Sequence, residues 1–309
     1  MTLQQLEYVI ALDNYRHFVT AAEKCFVTQP TLTMQVKKLE DEIGIKIFNR
    51  SKKPLTPTKA GEQLIHKARE IIRDVTELKD LVSNEKESMA GTFRLGIIPT
   101  LAPFLMPLFL PHFRKHHPEV KLVIRELQTL DIIKELKADT LDIGLVVTPL
   151  DESTLKEIPL FYEPFVFYHP ENHALANSNS IKPSQLDGDE LLLLEEGHCF
   201  RNQALNICGK LHATDHEGFY YQSGSIETLK NMVRKGLGYT LVPQLSIDWE
   251  YEKKWVKKFE DPQPVREVSL VTHKTFNKKM LLNSLQDSIL KMLPKEIKKN
   301  ERIVKIKWR

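Results

Sequence analysis

Between Pro57 and Val82, the small or apolar residues Gly61, Leu64, Ala68, Ile71, Val75, Leu78 and Val82 recur at alternating spacings of three and four, with no proline among them. This is the heptad seam of one long helix. A seam of that length is more readily covered by a second copy than by a nearby core, so the helix predicts a dimer. The pattern fails over Glu85–Gly91 and ends in glycine, which marks a domain boundary. A chain of 309 residues has room for about two domains. The expected division is an N-terminal domain at 1–58, a dimerising linker helix and hinge at 59–90, and a C-terminal domain at 91–309.

With 41% hydrophobic and 28% charged residues, the chain can build ordinary cores and is not disordered. Met1–Tyr8 lacks the basic and apolar regions of a signal peptide, and the apolar stretch Pro99–Pro111 is too short and too proline-broken to span a bilayer. Three cysteines make no disulfide framework, which points to a reducing compartment. A cytoplasmic protein without membrane contact is expected. The net charge of +3 says little about nucleic acid, because residues 291–309 alone hold eight Lys/Arg against two Glu. Only local charge carries that argument.

Locally, the first sixty residues carry it well. Leu3, Leu6, Val9 and Ile10 form one helical face, and Phe18, Ala21, Ala22 and Cys25 continue on a second short helix, with Cys25 as a small core residue. After a turn at Phe26–Thr28, Thr28 is the expected N-cap and Pro30 fits the first turn of a third helix whose Leu32, Val36, Leu39 and Ile43 share a face. The other face presents Met34, Lys37 and Lys38. Thr28, Gln29, Pro30, Thr31, Thr33, Gln35 and Lys38 are therefore expected to meet DNA in a major groove. The acid-free run Lys46–Lys59 reads as a basic wing, with Arg50, Lys52 and Lys53 on phosphates.

These residues also carry a resemblance. Ala21-Ala22, Thr28–Leu32, Leu39-Glu40, Phe48–Arg50 and Leu55–Gly61 resemble the winged helix-turn-helix of LysR-type transcriptional regulators.

Beyond Gly91, β-rich runs alternate with helical ones: Thr92–Ile98, Leu101–His116, Val120–Leu127, Leu130–Ala138 and Leu141–Thr148. A second set runs through Phe161–Tyr168, Leu191–Leu194, a helix from Cys199, Phe219–Ser223, Glu227–Lys235 and Gly238–Val242, and Arg266–Thr272 resumes a strand. The alternation predicts an α/β regulatory domain of largely parallel sheets, with ligand sites at strand C-termini and in the crevice between sheets. The LysR resemblance implies two βαβ subdomains like those of periplasmic binding proteins, at 91–162 plus 268–309 and at 163–267. Thr100 and Thr129 follow strands, where each serves either a small polar ligand or a helix N-cap.

Cys199 and Cys208 lie in the segment Glu195–Lys210. Cys199 is expected at a helix N-terminus beside His198 and Arg201, a setting that favours a thiolate. Nine helical residues put the two Cα atoms roughly 13 Å apart, about twice the reach of a disulfide. Three readings are open: packing residues; a metal site from Cys208, His212 and His216, which matches no standard zinc spacing; and a redox pair in which Cys199 attacks peroxide and Cys208 resolves the sulfenate.

Leu194–Ala204 with Cys208, Ile98–Thr100, Glu126–Thr129 and Glu227–Val233 are similar to the hydrogen-peroxide-responsive members of the LysR type. The resemblance implies that Cys199 is peroxidatic and Cys208 resolving, with Thr100, Thr129, His198 and Arg266 around the bound peroxide, while Arg201 is expected from its place beside Cys199 to help activate it. It implies an activator that acts as a homodimer or homotetramer on promoter DNA, with RNA polymerase and a glutaredoxin or thioredoxin reductant as partners, and with no metal or other cofactor. The rivals are a LysR-type sensor of a small metabolite and a thiol peroxidase. Lys295–Arg309 departs from the resemblance. Its charge reads as a solvated tail, with extra DNA contact as the alternative.

Overall fold

Helix α1 (Leu3–Tyr15) opens the chain under a capping box in which Thr2 and Gln5 each serve the other's backbone. In the computed structural model, residues 1–83, 89–186, 190–209, 224–297 and 303–307 are described. The chain divides into two units, one mainly of residues 1–88 and the other mainly of 89–309.

In the first unit, α2 (Phe18–Lys24) and α3 (Gln29–Ile43) follow α1, and a short antiparallel ribbon pairs β1 (Phe48–Asn49) with β2 (Thr56–Pro57). Thr28 caps α3 by accepting from the Thr31 amide, and Gly44 ends it in the left-handed region at φ 73°. The buried arc of α1 is Gln5, Leu6, Tyr8, Val9, Ala11 and Leu12, whereas Leu3 is exposed and Ile10 half-buried. The expected face was thus rotated, because α1 packs against α2, α3 and the following long helix together. Cys25 is half-buried against this core, and burial pushes its thiol up.

Glu40 on α3 is buried and accepts hydrogen bonds from the amides of Ile47 (2.9 Å) and Phe48 (3.4 Å) and from Arg50 Nη2 (3.0 Å). It therefore fixes where the wing leaves the helical core. Glu40→Ala should lower the stability of this unit by about 1–3 kcal/mol, since two buried amides lose their acceptor. A thermal unfolding scan of the variant checks this.

Helix α4 (Lys59–Ser83) carries the seam. Ile65 and Ala68 are buried in the same unit's core, with Leu64, Ile71 and Ile72 packed against it. Leu78 is exposed, and nothing is described of the Val82 side chain. The first half of the seam is thus spent on the protein's own core, which the spacing alone did not reveal.

The second unit has the expected α/β architecture. Strand β3 (Gly91–Ile97) lies parallel between β4 (Val120–Glu126) and β5 (Ile143–Thr148), with α5 (Ala102–His116) and α6 (Thr129–Lys137) as crossovers. Strands β6 (Leu155–Tyr168) and β10 (Gln263–His273) are long and antiparallel to each other. β10 also pairs antiparallel with β5, while the far half of β6 pairs antiparallel with β8 (Thr240–Pro243) and β9 (Val256–Phe259); β7 (Ser180–Ile181) runs parallel to β9. The sheets are therefore mixed rather than largely parallel, because β6 runs antiparallel to β8, β9 and β10, and β10 antiparallel to β5.

Helices α7 (Cys199–Cys208), α8 (Ile226–Arg234) and α9 (Lys279–Met292) complete the unit, with a last strand β11 (Ile303–Lys305) parallel to β10. Of the expected strand at 191–194, only Leu191 makes a bridge, to Tyr239. The expected strand at 219–223 and the residues His212 and His216 lie outside the described residues. Among the described residues, no helix is long and apolar enough to cross a membrane.

Candidate functional site

The candidate DNA face lies on α3 and the wing. Thr28, Gln29 and Pro30 are exposed at the start of α3, and Thr31 is half-buried with its hydroxyl 2.8 Å from that of Thr28. Lys38, Lys52 and Lys53 are exposed. Three other expected contacts are placed differently. Thr33 Oγ1 is turned into the interior, Gln35 accepts from Gln5 Nε2 at 3.2 Å, and Arg50 is committed to buried Glu40. Thr33 and Gln35 are drawn inward by the packing of α3 on its own core, whereas Arg50 stays exposed on the wing while it pairs with Glu40.

In the second unit, four segments converge. Arg266 on β10 is wholly buried, and its Nε and Nη2 lie 2.9 and 2.7 Å from Glu163 Oε2 on β6. Glu163 is itself wholly buried and accepts from the Leu245 amide at 2.9 Å. The guanidinium also donates from Nη1 to Thr100 Oγ1 (2.9 Å) and from Nη2 to the Thr100 carbonyl (3.1 Å). Thr100 therefore anchors a cation just beyond the end of β3, and Leu101 rather than Thr100 occupies the N-cap of α5.

Cys199 opens α7 and is buried. The segment before it is shaped by Gly197, at φ 93°, where a Cβ would stand 2.5 Å from Gln128 Oε1. His198 is the N-cap without a side-chain cap bond; its Nε2 lies 3.5 Å from Glu195 Oε1. Arg201 donates from Nη1 to the Leu194 carbonyl at 2.9 Å, which ties the start of α7 to the preceding chain. Phe200, beside the cysteine, is buried with its ring centre 5.3 Å from that of Phe165 and 5.7 Å from the Arg266 guanidinium.

Burial pushes the Cys199 thiol above its ordinary range, and the Arg266 charge, the Thr129 hydroxyl and the Phe200 amide pull against it without winning. The expectation of a resting thiolate supported by His198 and Arg201 is corrected on both points. Desolvation outweighs the charges, and the cation that bears on the sulfur is Arg266. Thr129 Oγ1 is buried with no hydrogen-bond partner of normal geometry among the described residues. Cys208 ends α7, half-buried against the apolar core, with Gly209 following at φ 66°.

Residues 3–62 match the bacterial regulatory helix-turn-helix protein of the lysR family, and residues 86–292 match the LysR substrate binding domain. The hydrogen peroxide-inducible genes activator of Haemophilus influenzae is 37% identical over 273 residues, covering 88% of this chain and 90% of its own. The chain belongs to the OxyR group of LysR-type regulators. A full-length OxyR variant from Pseudomonas aeruginosa superposes with a TM-score of 0.81 at 34% identity, over 95% of this chain and 99% of that one. An H2O2-bound OxyR mutant from Corynebacterium glutamicum gives 0.61 at 27% identity, over 94% and 92%.

Two features of this unit escaped sequence reasoning. Glu163 gave no signal, since an acid between Tyr162 and Pro164 reads as a strand-edge residue until β10 is placed beside it. The substrate binding domain match ends at residue 292, so β11 lies beyond it. The alternating Ile303-Val-Lys-Ile-Lys307 was a strand signal hidden by its charge.

Proposed function

We propose that this chain is a hydrogen-peroxide-responsive transcriptional activator, switched by a reversible disulfide between Cys199 and Cys208. The observation that carries the reading is a buried cysteine at a helix N-terminus, under Arg266 and Thr129, with a second cysteine closing the same helix. The H2O2-bound relative supports the choice of oxidant.

In the proposed mechanism, Thr129, Thr100 and His198 orient the peroxide. Cys199 loses its proton, its sulfur attacks one peroxide oxygen, the O–O bond breaks and the departing hydroxide takes a proton to become water. Arg266 stabilises both the thiolate and the leaving oxygen. The Cys208 thiolate then attacks the Cys199 sulfenic acid, forming the S–S bond and releasing a second water. Two thiols are oxidised and one peroxide is reduced. A glutaredoxin or thioredoxin system restores the thiols.

Nine helical steps separate the cysteines by roughly 13 Å at Cα, and a disulfide allows only about 4.4–6.8 Å. The second step therefore requires α7 to unwind. In our reading the subdomains are 91–162 with 268–309, and 163–267; their repacking in a dimer or tetramer shifts the reading heads (1–58) through the linker (59–90). The exposed Leu78 supports a second copy along the later seam. The protein acts in the cytoplasm on promoter DNA with RNA polymerase, and not as an enzyme, since each oxidation is one signal.

Cys199→Ser should keep DNA binding and lose the peroxide-dependent change in footprint, with thiols titrated before and after one equivalent of peroxide on the same sample. A wild-type footprint response in that variant would sink the proposal. Sustained peroxide turnover with a thiol reductant would point to a peroxidase instead.

A further inference from the structure

The C-terminal segment 303–307 is docked on the helix that carries both cysteines. β11 pairs with Gln263–Val265 of β10, and the Ile306 amide extends the ladder to the Val265 carbonyl at 2.9 Å. Lys305 Nζ lies 2.5 Å from Glu267 Oε2 and 4.7 Å from the Tyr162 ring centre. Beyond the strand, Gln203 Nε2 donates to the Ile306 carbonyl at 2.7 Å and Asn206 Nδ2 to the Lys307 carbonyl at 3.0 Å. Ile306 packs against the apolar cluster that includes Phe200, Ala204 and Ile207 of α7. The charge-based expectation of a solvated tail is therefore corrected: polar and apolar contacts both hold this segment.

Gln203 and Asn206 both fall between Cys199 and Cys208. The side chain of Gln203 is wholly buried, so within the helix its amide depends on the tail for an acceptor.

We propose that residues 303–307 are a latch on α7 that favours the dithiol state and is released when the Cys199–Cys208 disulfide forms. This rests on the disulfide reading above. Closing the S–S bond unwinds the turns that carry Gln203 and Asn206, which takes both donors away from the tail carbonyls. By linkage, whatever binds only the helical state opposes oxidation by the same factor. Release also uncovers the Gln263–Val265 edge of β10, next to Arg266.

The test uses the full-length protein in its dithiol and peroxide-treated forms, with the disulfide quantified by mass spectrometry in each sample. Amide hydrogen exchange over 303–307 should be slow in the dithiol form and fast in the disulfide form. A chain ending at Arg302 should have a more negative midpoint potential in a thiol–disulfide buffer. About a tenfold shift in the equilibrium constant is expected, which is about 30 mV for two electrons. Asn206→Ala, a change on an exposed position, should give a smaller shift of the same sign, and none when added to the truncation. Should the truncated chain misfold, Asn206→Ala and the exchange measurement decide alone. Disulfide formation with unchanged exchange at 303–307 overturns the latch, as does a wild-type midpoint in the variants. Absence of a disulfide overturns the underlying reading instead.

Discussion

Arg266→Ala should slow the reaction of Cys199 with hydrogen peroxide by about 10²-fold or more, the scale set by loss of one oriented donor at a developing anion. It should also destabilise the regulatory unit by about 3–5 kcal/mol, because Glu163 is left buried without its partner. The two losses are separable. Arg266→Met combined with Glu163→Gln removes both charges and should recover much of the stability while the reaction stays slow. The pH dependence gives an independent readout. Burial raises the Cys199 thiol, so the rate in the wild-type chain should keep rising with pH beyond the ordinary thiol range. Removing the cation that lowers the thiol should displace that rise to still higher pH. Stopped-flow rates across pH check both; a wild-type rate profile in the double variant would reduce Arg266 to a structural role.

Gly61→Ala tests the other unit, where two effects oppose each other. Alanine in place of glycine inside a helix gains about 0.8–1 kcal/mol. Here, however, a Cβ would stand 2.0 Å from the Ile47 carbonyl oxygen, which is backbone and also accepts from the Thr58 amide. Such overpacking costs about 1–3 kcal/mol and occasionally more, and a fixed backbone neighbour puts it at the upper end. The clash wins. The variant should lose stability in the DNA-binding unit, and with it operator affinity, while its thiols still respond to peroxide. Calorimetry together with an electrophoretic mobility shift assay checks this; an unchanged unfolding temperature would show that α4 can slide away from Ile47.

Sequence reasoning reached furthest where local chemistry decides structure. Thr28 and Pro30 set the start of α3, the apolar period set its core face, and Gly44 its end. Cys199 and Cys208 at opposite ends of a helix were legible for the same reason. Contacts made between distant strands were not. The Arg266–Glu163 pair joins residues 103 positions apart, and no local spacing announces it. The thiol was misjudged because a helix N-terminus and nearby cations are visible in sequence, whereas the burial that outweighs them is not. Thr33 and Gln35 were assigned outward from the face of a helix and Arg50 from the charge of the wing, and neither signal shows that Gln35 meets Gln5 or that Arg50 pairs with Glu40.

The long crossing strands have a bearing on access. β6 and β10 are paired from Val265 with Pro164 to His273 with Leu155, with one irregularity at Val268/Ser269. A pair of strands laced together in this way resists the wide gape of a clamshell, since bending it sacrifices ladder hydrogen bonds in the middle of the unit. Cys199 lies in the same unit and is only 5% exposed, so access to its sulfur requires the side chains around it to move.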